Sequence, residues 1–158
     1  METPQIRIAT IEDLDDVLAL SQKLFEYETA FGDTFNGAWT YSEAGRNYFT
    51  MRLNGERGFC IVAQIDGKTI GYATVFITEF AFRRAEVNPI GEIENMIIEE
   101  AYRGKNVGQL MVTYIKEELK RRGVKRLAVV FLSKNTKASE FYHKVGFDTF
   151  STRLELDL

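Results

Sequence analysis

The sequence predicts a mixed α/β fold, antiparallel in its first half and parallel in its second, and three observations lead there. Residues 58–64 and 69–78 are rich in β-branched and aromatic side chains and flank Asp66-Gly67. A tight hairpin turn prefers that dipeptide because glycine tolerates positive φ, so the two runs form an antiparallel hairpin. Strand-patterned residues 90–98 and 126–132 enclose a long helical pattern. Two strands joined through a helix imply a parallel pair with a right-handed crossover. The chain has 158 residues, 45% apolar and 27% charged, an ordinary composition for one globular domain with one core.

Each element has its own local signal. Residues 5–10 alternate Ile6 and Ile8 with polar neighbours and suit a short strand. Thr10 is placed to cap the next helix, with Asp13 at capping-box distance. From 11 to about 28, Leu14, Val17, Leu18, Leu24 and Phe25 recur three and four apart, the mark of an amphipathic helix. Residues 31–40 hold two glycines, an asparagine and the aromatics Phe31, Phe35 and Trp39, an irregular connection before a second helix over about 42–53. After the hairpin, polar residues 79–88, with Arg83 and Arg84, form a loop that ends at Pro89. The long helix carries Leu110, Met111, Tyr114, Ile115 and Leu119 on one face and runs to about 122, where Gly123 stops it. A helix over about 136–145 and a strand over about 147–156 finish the chain. No linker or repeat divides it, so one domain over 1–158 is expected.

Composition also narrows the function classes. The longest apolar stretches fall far short of the roughly 18 residues that cross a bilayer, and the N-terminus lacks a basic region followed by an apolar one. Neither a membrane nor a secreted location is expected. Cys60 is the single cysteine and His143 the single histidine, too few soft ligands for a zinc site and no basis for an intrachain disulfide. The expected location is cytoplasmic, with no metal. A net charge of −3, from 20 Lys+Arg against 23 Asp+Glu, gives no basic field for nucleic acid. The basic cluster Lys120, Arg121, Arg122, Lys125 and Arg126 lies where cations complement a helix C-terminus.

Chemistry concentrates in residues 92–108, where a strand runs into the basic turn Arg103-Gly-Lys-Asn106-Val-Gly108 and then the long helix. Unpaired N–H groups of a helix's first turn, the helix dipole and the charges of Arg103 and Lys105 make an anion site suited to phosphate. Neither G-x-x-x-x-G-K-S/T nor G-x-G-x-x-G is present, so nucleoside triphosphate and dinucleotide motifs are not matched. Taken alone, the turn is equally a plain strand-to-helix connection with a solvated basic pair.

A second segment lies after the next strand, with Asn135, Ala138, Phe141, Tyr142, Gly146 and Phe147 in the spacing N-x-x-A-x-x-F-Y-x-x-x-G-F. Together with the R-x-x-x-x-G turn, it resembles the GNAT superfamily of acyl-CoA-dependent N-acyltransferases, whose central motif is R/Q-x-x-G-x-G/A. The order of elements from residue 5 onward resembles that fold too. One departure is Asn106 in place of the central glycine. Asparagine enters the left-handed region more readily than most residues, so the turn is expected to survive with a larger side chain near the phosphates.

The resemblance implies a GNAT-like mixed sheet of six to seven strands, with about four helices and a parallel βαβ step forming a cofactor slot. It implies that backbone N–H groups of Arg103, Gly104, Lys105, Asn106, Val107 and Gly108 hold the pyrophosphate of CoA. Met96 and Ile98 would present main chain to the pantetheine arm, and Asn135 would contact the same arm. The strands around this slot splay apart in the family, and Met96, Ile98, Val129 and Phe131 are consistent with its walls. The implied reaction moves an acetyl group from acetyl-CoA, as cosubstrate, to a primary amine of a small molecule or peptide within a ternary complex. Tyr142 is implied as the acid near the thioester sulfur. A protonated amine cannot attack, so a base is needed as well. Glu92 and Glu94, two apart on a strand, share a face on which each can raise the other's pKa and attract an ammonium. Glu92 resembles a strand-four glutamate that serves as base in some members. A backbone N–H near Met96 or Ile97 would stabilise the oxyanion if the strand bulges.

The acceptor side is expected along residues 31–41 and 79–88. Glu26, Glu28, Asp33, Glu79, Glu86, Glu92 and Glu94 suit a cationic amine, whereas Arg83 and Arg84 suit one bearing a carboxylate or phosphate. A non-catalytic acyl-CoA-binding or sensing module and an interaction domain with a vestigial anion turn are the alternative readings. A homodimer is compatible with an unpaired final strand. Cys60 reads as core and His143 as surface.

Overall fold

Asp66 and Gly67 take positive φ, 51° and 75°, the paired left-handed geometry that turns a hairpin in two residues. They join β2 (Gly58–Ile65) to β3 (Lys68–Thr78) in the computed structural model, which describes residues 3–79 and 85–158. The sheet has five strands in the order of the chain, from β1 (Gln5–Ile8) through β4 (Ile90–Ile98) to β5 (Arg126–Val129). The first three pairings are antiparallel and β4 with β5 is parallel. Helices α1 (Leu14–Glu28) and α2 (Glu43–Leu53) precede β2, α3 (Val107–Arg121) makes the crossover from β4 to β5, and α4 (Thr136–Lys144) comes after β5. Arg83 and Arg84 lie outside the described residues.

Because strand side chains alternate between faces, β2 serves two cores. Phe59, Ile61 and Ala63 pack with Met111, Ile115 and Leu119 of α3. Cys60 and Val62 pack with Val17 and Leu18 of α1 and Phe49 and Leu53 of α2. The sheet is thus a middle layer between two pairs of helices, and Cys60 is buried in the core, its thiol proton held more tightly because of burial.

Three expectations are corrected. The helix over 11–28 begins with a 3-10 turn, Ile11–Asp13, and becomes regular only at Leu14. Asp13 is the reason: its carboxylate accepts the Thr10 N–H at 2.8 Å and bonds from Arg7 Nη2 and Nη1 at 2.7 and 2.8 Å. These bonds hold the carboxyl below its usual range, the Arg7 bond contributing most. Second, β5 is shorter than 126–132, because its partner β4 leaves it after the Ile93–Val129 pair. Third, among the described residues the sheet has five strands and not six or seven. Residues 147–156, expected as the final strand, find no partner strand among the described residues, and Leu154 and Leu156 are 91% and 83% exposed.

The contrast between core and terminus sets a stability test. Phe49, fully buried against Trp39, Tyr48 and Tyr72, should cost about 3–5 kcal/mol when replaced by alanine. Leu156→Ser should stay within about 0.5 kcal/mol of the parent, as surface substitutions do. Urea denaturation of the two variants measures both.

Candidate active site

The site begins with one surplus residue in β4. The register against β3 passes from Thr74–Asn95 to Val75–Ile93, so Glu94 has no opposite residue and bulges. The pairing with β5 ends at the same place, Ile93 with Val129. A bulge bends its strand and increases local twist, and here β4 diverges from β5 beyond it. Residues 95–98 keep their bonds to β3, while their other backbone edge faces an opening. Met96 and Ile98 line one side of that opening, Val129 and Phe131 the other, around a cavity of about 420 Å³.

At one end of the cavity lies the basic turn. Gly104 and Asn106 both sit in the left-handed region, at φ 72° and 63°. This is the conformation expected of Asn106, and it lets α3 start at Val107 with its first N–H groups free of intrahelical partners. Gly108 stands where a β-carbon would come within 3.0 Å of the Phe141 ring and 3.2 Å of Ile98. Its lack of a side chain lets the first turn of α3 close on α4 beside the opening. Arg103 donates to the Ile98 carbonyl at 2.8 Å and lies 5.3 Å from the Tyr27 ring centre, tying the turn to β4 and α1. Arg103, Gly104, Asn106, Val107 and Gly108 line the cavity. Lys105 does not; it donates to the Ala101 carbonyl at 2.8 Å.

The other motif arrives on α4. Asn135 caps this helix, its side-chain oxygen accepting the Ala138 N–H at 3.1 Å, and it lines the cavity with Tyr142. Tyr142 is buried, stacked on Phe131 and met edge-on by Phe141 and Phe147. Its hydroxyl approaches the Met96 sulfur at 3.9 Å. Burial, then the charge of Glu28, pushes this phenol up to about 12, so it carries its proton at neutral pH. His143 is exposed on the same helix.

The carboxylates divide. Glu94 lines the cavity, and Arg52 of α2 donates to both its oxygens, Nε at 2.8 Å and Nη2 at 3.0 Å. Arg52 is itself buried against the faces of Tyr48 and Phe76. Asn95 donates to the Tyr48 hydroxyl at 2.8 Å and to Thr74 at 2.9 Å. Glu92 is half-buried and does not line the cavity; burial, then the charge of Glu94, pushes its carboxyl up. Glu28, on the last turn of α1, does line it, and burial followed by the charge of Asp33 pushes its carboxyl up to about 7.

Sequence reasoning named Glu28 only as one of seven acids and did not single out Arg52, Asn95 or Tyr27. A signal for Arg52 exists: it lies three residues after Phe49 and precedes Leu53, which puts a cation on the apolar face of its helix. The aromatics of the 31–41 connection are largely structural, with Phe35 at 4.9 Å and Trp39 at 5.8 Å from Phe25. Among the described residues no group of three potential ligands is placed to hold a metal, and no helix is long and apolar enough to cross a membrane.

Known proteins resemble this chain over most of its length. An uncharacterised N-acetyltransferase of Methanocaldococcus jannaschii is 24% identical over 148 residues, which make up 94% of this chain and 62% of that protein. The chain therefore spans less than two thirds of that relative's length. The aminoalkylphosphonate N-acetyltransferase of Salmonella typhimurium is 24% identical over 147 residues, 93% of this chain and 86% of its own. Among solved structures, a mutant protein from Bacillus halodurans matches with a TM-score of 0.84 at 22% identity, over 98% of this chain and 99% of that one. The aminoglycoside N-acetyltransferase AAC(6')-Iy in complex with CoA matches with a TM-score of 0.78 at 14% identity, over 99% and 97% of the two chains. These structures share the fold. The family model for acetyltransferases of the GNAT type matches residues 21–147, a span that takes in the bulged strand, the left-handed turn and Tyr142, and the chain belongs to the acetyltransferase (GNAT) family.

Proposed function

We propose that the protein transfers an acetyl group from acetyl-CoA to a primary amine by direct attack within a ternary complex. One observation carries the reading: the opening created by the Glu94 bulge runs from an anion-binding turn to a buried, protonated tyrosine hydroxyl. The residues present fit CoA. Free N–H groups at the start of α3, with the guanidinium of Arg103 nearby, suit a pyrophosphate. The open backbone edge of residues 95–98 suits an extended, amide-bearing arm, because an unpaired strand edge offers both donors and acceptors. When bound, acetyl-CoA supplies the activated acyl group.

The chain's own groups then hold and move protons. Tyr142 keeps its proton at neutral pH and offers it to the departing sulfur. Glu94, held by Arg52, pins the bulge to α2 and so fixes where the open edge begins. Glu92 lies off the cavity and would reach a bound amine only through water. The relatives' names give aminoalkylphosphonate and aminoglycoside as what those proteins acetylate, and both are amine-bearing. This supports an amine acceptor for this chain.

Two substitutions test the reading. Tyr142→Phe should lower kcat by about 10²–10⁴, the range for loss of a general acid, with acetyl-CoA affinity unchanged in calorimetry; unchanged turnover removes the assigned role. Asn106→Val puts a β-branched residue at positive φ, where the left-handed region costs roughly 1–2 kcal/mol. It should weaken acetyl-CoA binding about tenfold, while Asn106→Gly binds at least as well as the parent. Tight binding by the parent with no thiol release across a broad panel of amines would instead favour the acyl-CoA-binding module.

A further inference from the structure

The elements that enclose the opening supply two carboxylates to it, Glu28 and Glu94. Glu94 is committed to Arg52 through two short bonds. Glu28 has no ion pair and no side-chain hydrogen bond among the described residues. The groups that face it are Asp33 from the connection after α1, Tyr72 of β3 and Tyr142 of α4, with Tyr27 beside it on α1. The cations that line the cavity, Arg103, Lys137 and Lys144, do not offset its burial. A half-buried carboxylate without a counter-charge, in the same cavity as the buried Tyr142 hydroxyl, is a place for a cation.

Resting on the acetyl-transfer reading above, we propose that Glu28 receives the acceptor ammonium in this cavity and takes its proton. The ammonium gives one proton to the Glu28 carboxylate. The freed lone pair forms the C–N bond at the thioester carbonyl carbon, and the C–S bond breaks. The leaving sulfur takes the Tyr142 proton, and the second proton shed by the nitrogen returns through water to Tyr142. Glu28 releases its proton to solvent, so an ammonium and a thioester become an amide, a thiol and one proton. A base that titrates near 7 is matched to work at neutral pH. The acceptors this favours are cationic primary amines that bring one ammonium past α1 to the end of the opening.

The experiment compares the parent protein with Glu28→Gln, and with Asp15→Asn on the exposed face of the same helix as control. Thiol release from acetyl-CoA is tracked from pH 5 to 9 with an aminoalkylphosphonate, an aminoglycoside and a polyamine as probes. Support is a parent rate that rises through about pH 7, with Glu28→Gln at least 100-fold slower and lacking that limb, and Asp15→Asn like the parent. A second readout needs no turnover. Glu28 holds its proton more tightly folded, at about 7, than at its ordinary 4.5. Its favourable contribution is complete below 4.5 and is lost as pH rises through 7. The melting temperature of Glu28→Gln should therefore gain on the parent between pH 5 and 8. An unchanged pH–rate profile in Glu28→Gln, or loss of the limb in Glu92→Gln alone, overturns the proposal while leaving acetyl transfer intact. No thiol release by the parent on any probe overturns both.

Discussion

The unpaired place of Glu94 in β4 is the constraint on which the rest of the site depends. The surplus residue falls between the Thr74–Asn95 and Val75–Ile93 pairs with β3, which stays paired on both sides of it, whereas the pairing with β5 stops at Ile93. Arg52 fixes the surplus residue in place. Its guanidinium meets both Glu94 oxygens, is buried between aromatic faces, and belongs to a helix whose Phe49 and Leu53 are core residues. Losing one partner of such a pair strands a buried charge, which is far costlier than losing a surface ion pair. The opening between the strands is thus built into the packing of α2 and does not depend on a loop.

Both helix layers contribute to this opening through residues that continue their core faces. On α1, Leu24 belongs to the second core and Glu28, one turn later, reaches the cavity. On α3, Val107 is core and Asn106 before it sits in the turn. On α4, Tyr142 is at once a core residue packed among three phenylalanines and the hydroxyl that faces Met96. Rigid elements therefore set the positions of the Tyr142 hydroxyl, the Glu28 carboxylate and the basic turn, as the proposed preorganised site requires.

What the sequence revealed divides along local and non-local lines. The Asp66-Gly67 hairpin, the left-handed Asn106 and the parallel crossover follow from short stretches of the chain, and each was legible. The bulge entered only as a condition attached to the family resemblance, because period-two reasoning assigns faces but cannot detect a surplus residue whose effect lies in the partner strand's register. Glu92 and Glu94 drew notice as a pair, yet their difference comes from Arg52, 42 residues away from Glu94 in the chain. Residues 147–156 read as a strand, but pairing needs a neighbour, and their leucines stand in solvent. Glu28 had no local signal among the other acids; its burial and its lack of a counter-charge are properties of the assembled cavity.

The most direct test of the account is amide hydrogen exchange across the chain with and without acetyl-CoA. Bound in the opening between β4 and β5, the ligand should protect two separate groups of amides together, those of residues 104–108 in the turn and those of residues 95–98 on the open strand edge. Protection confined to other segments, or none at saturating acetyl-CoA, would contradict the claim that the bulged strand and the left-handed turn form one binding site.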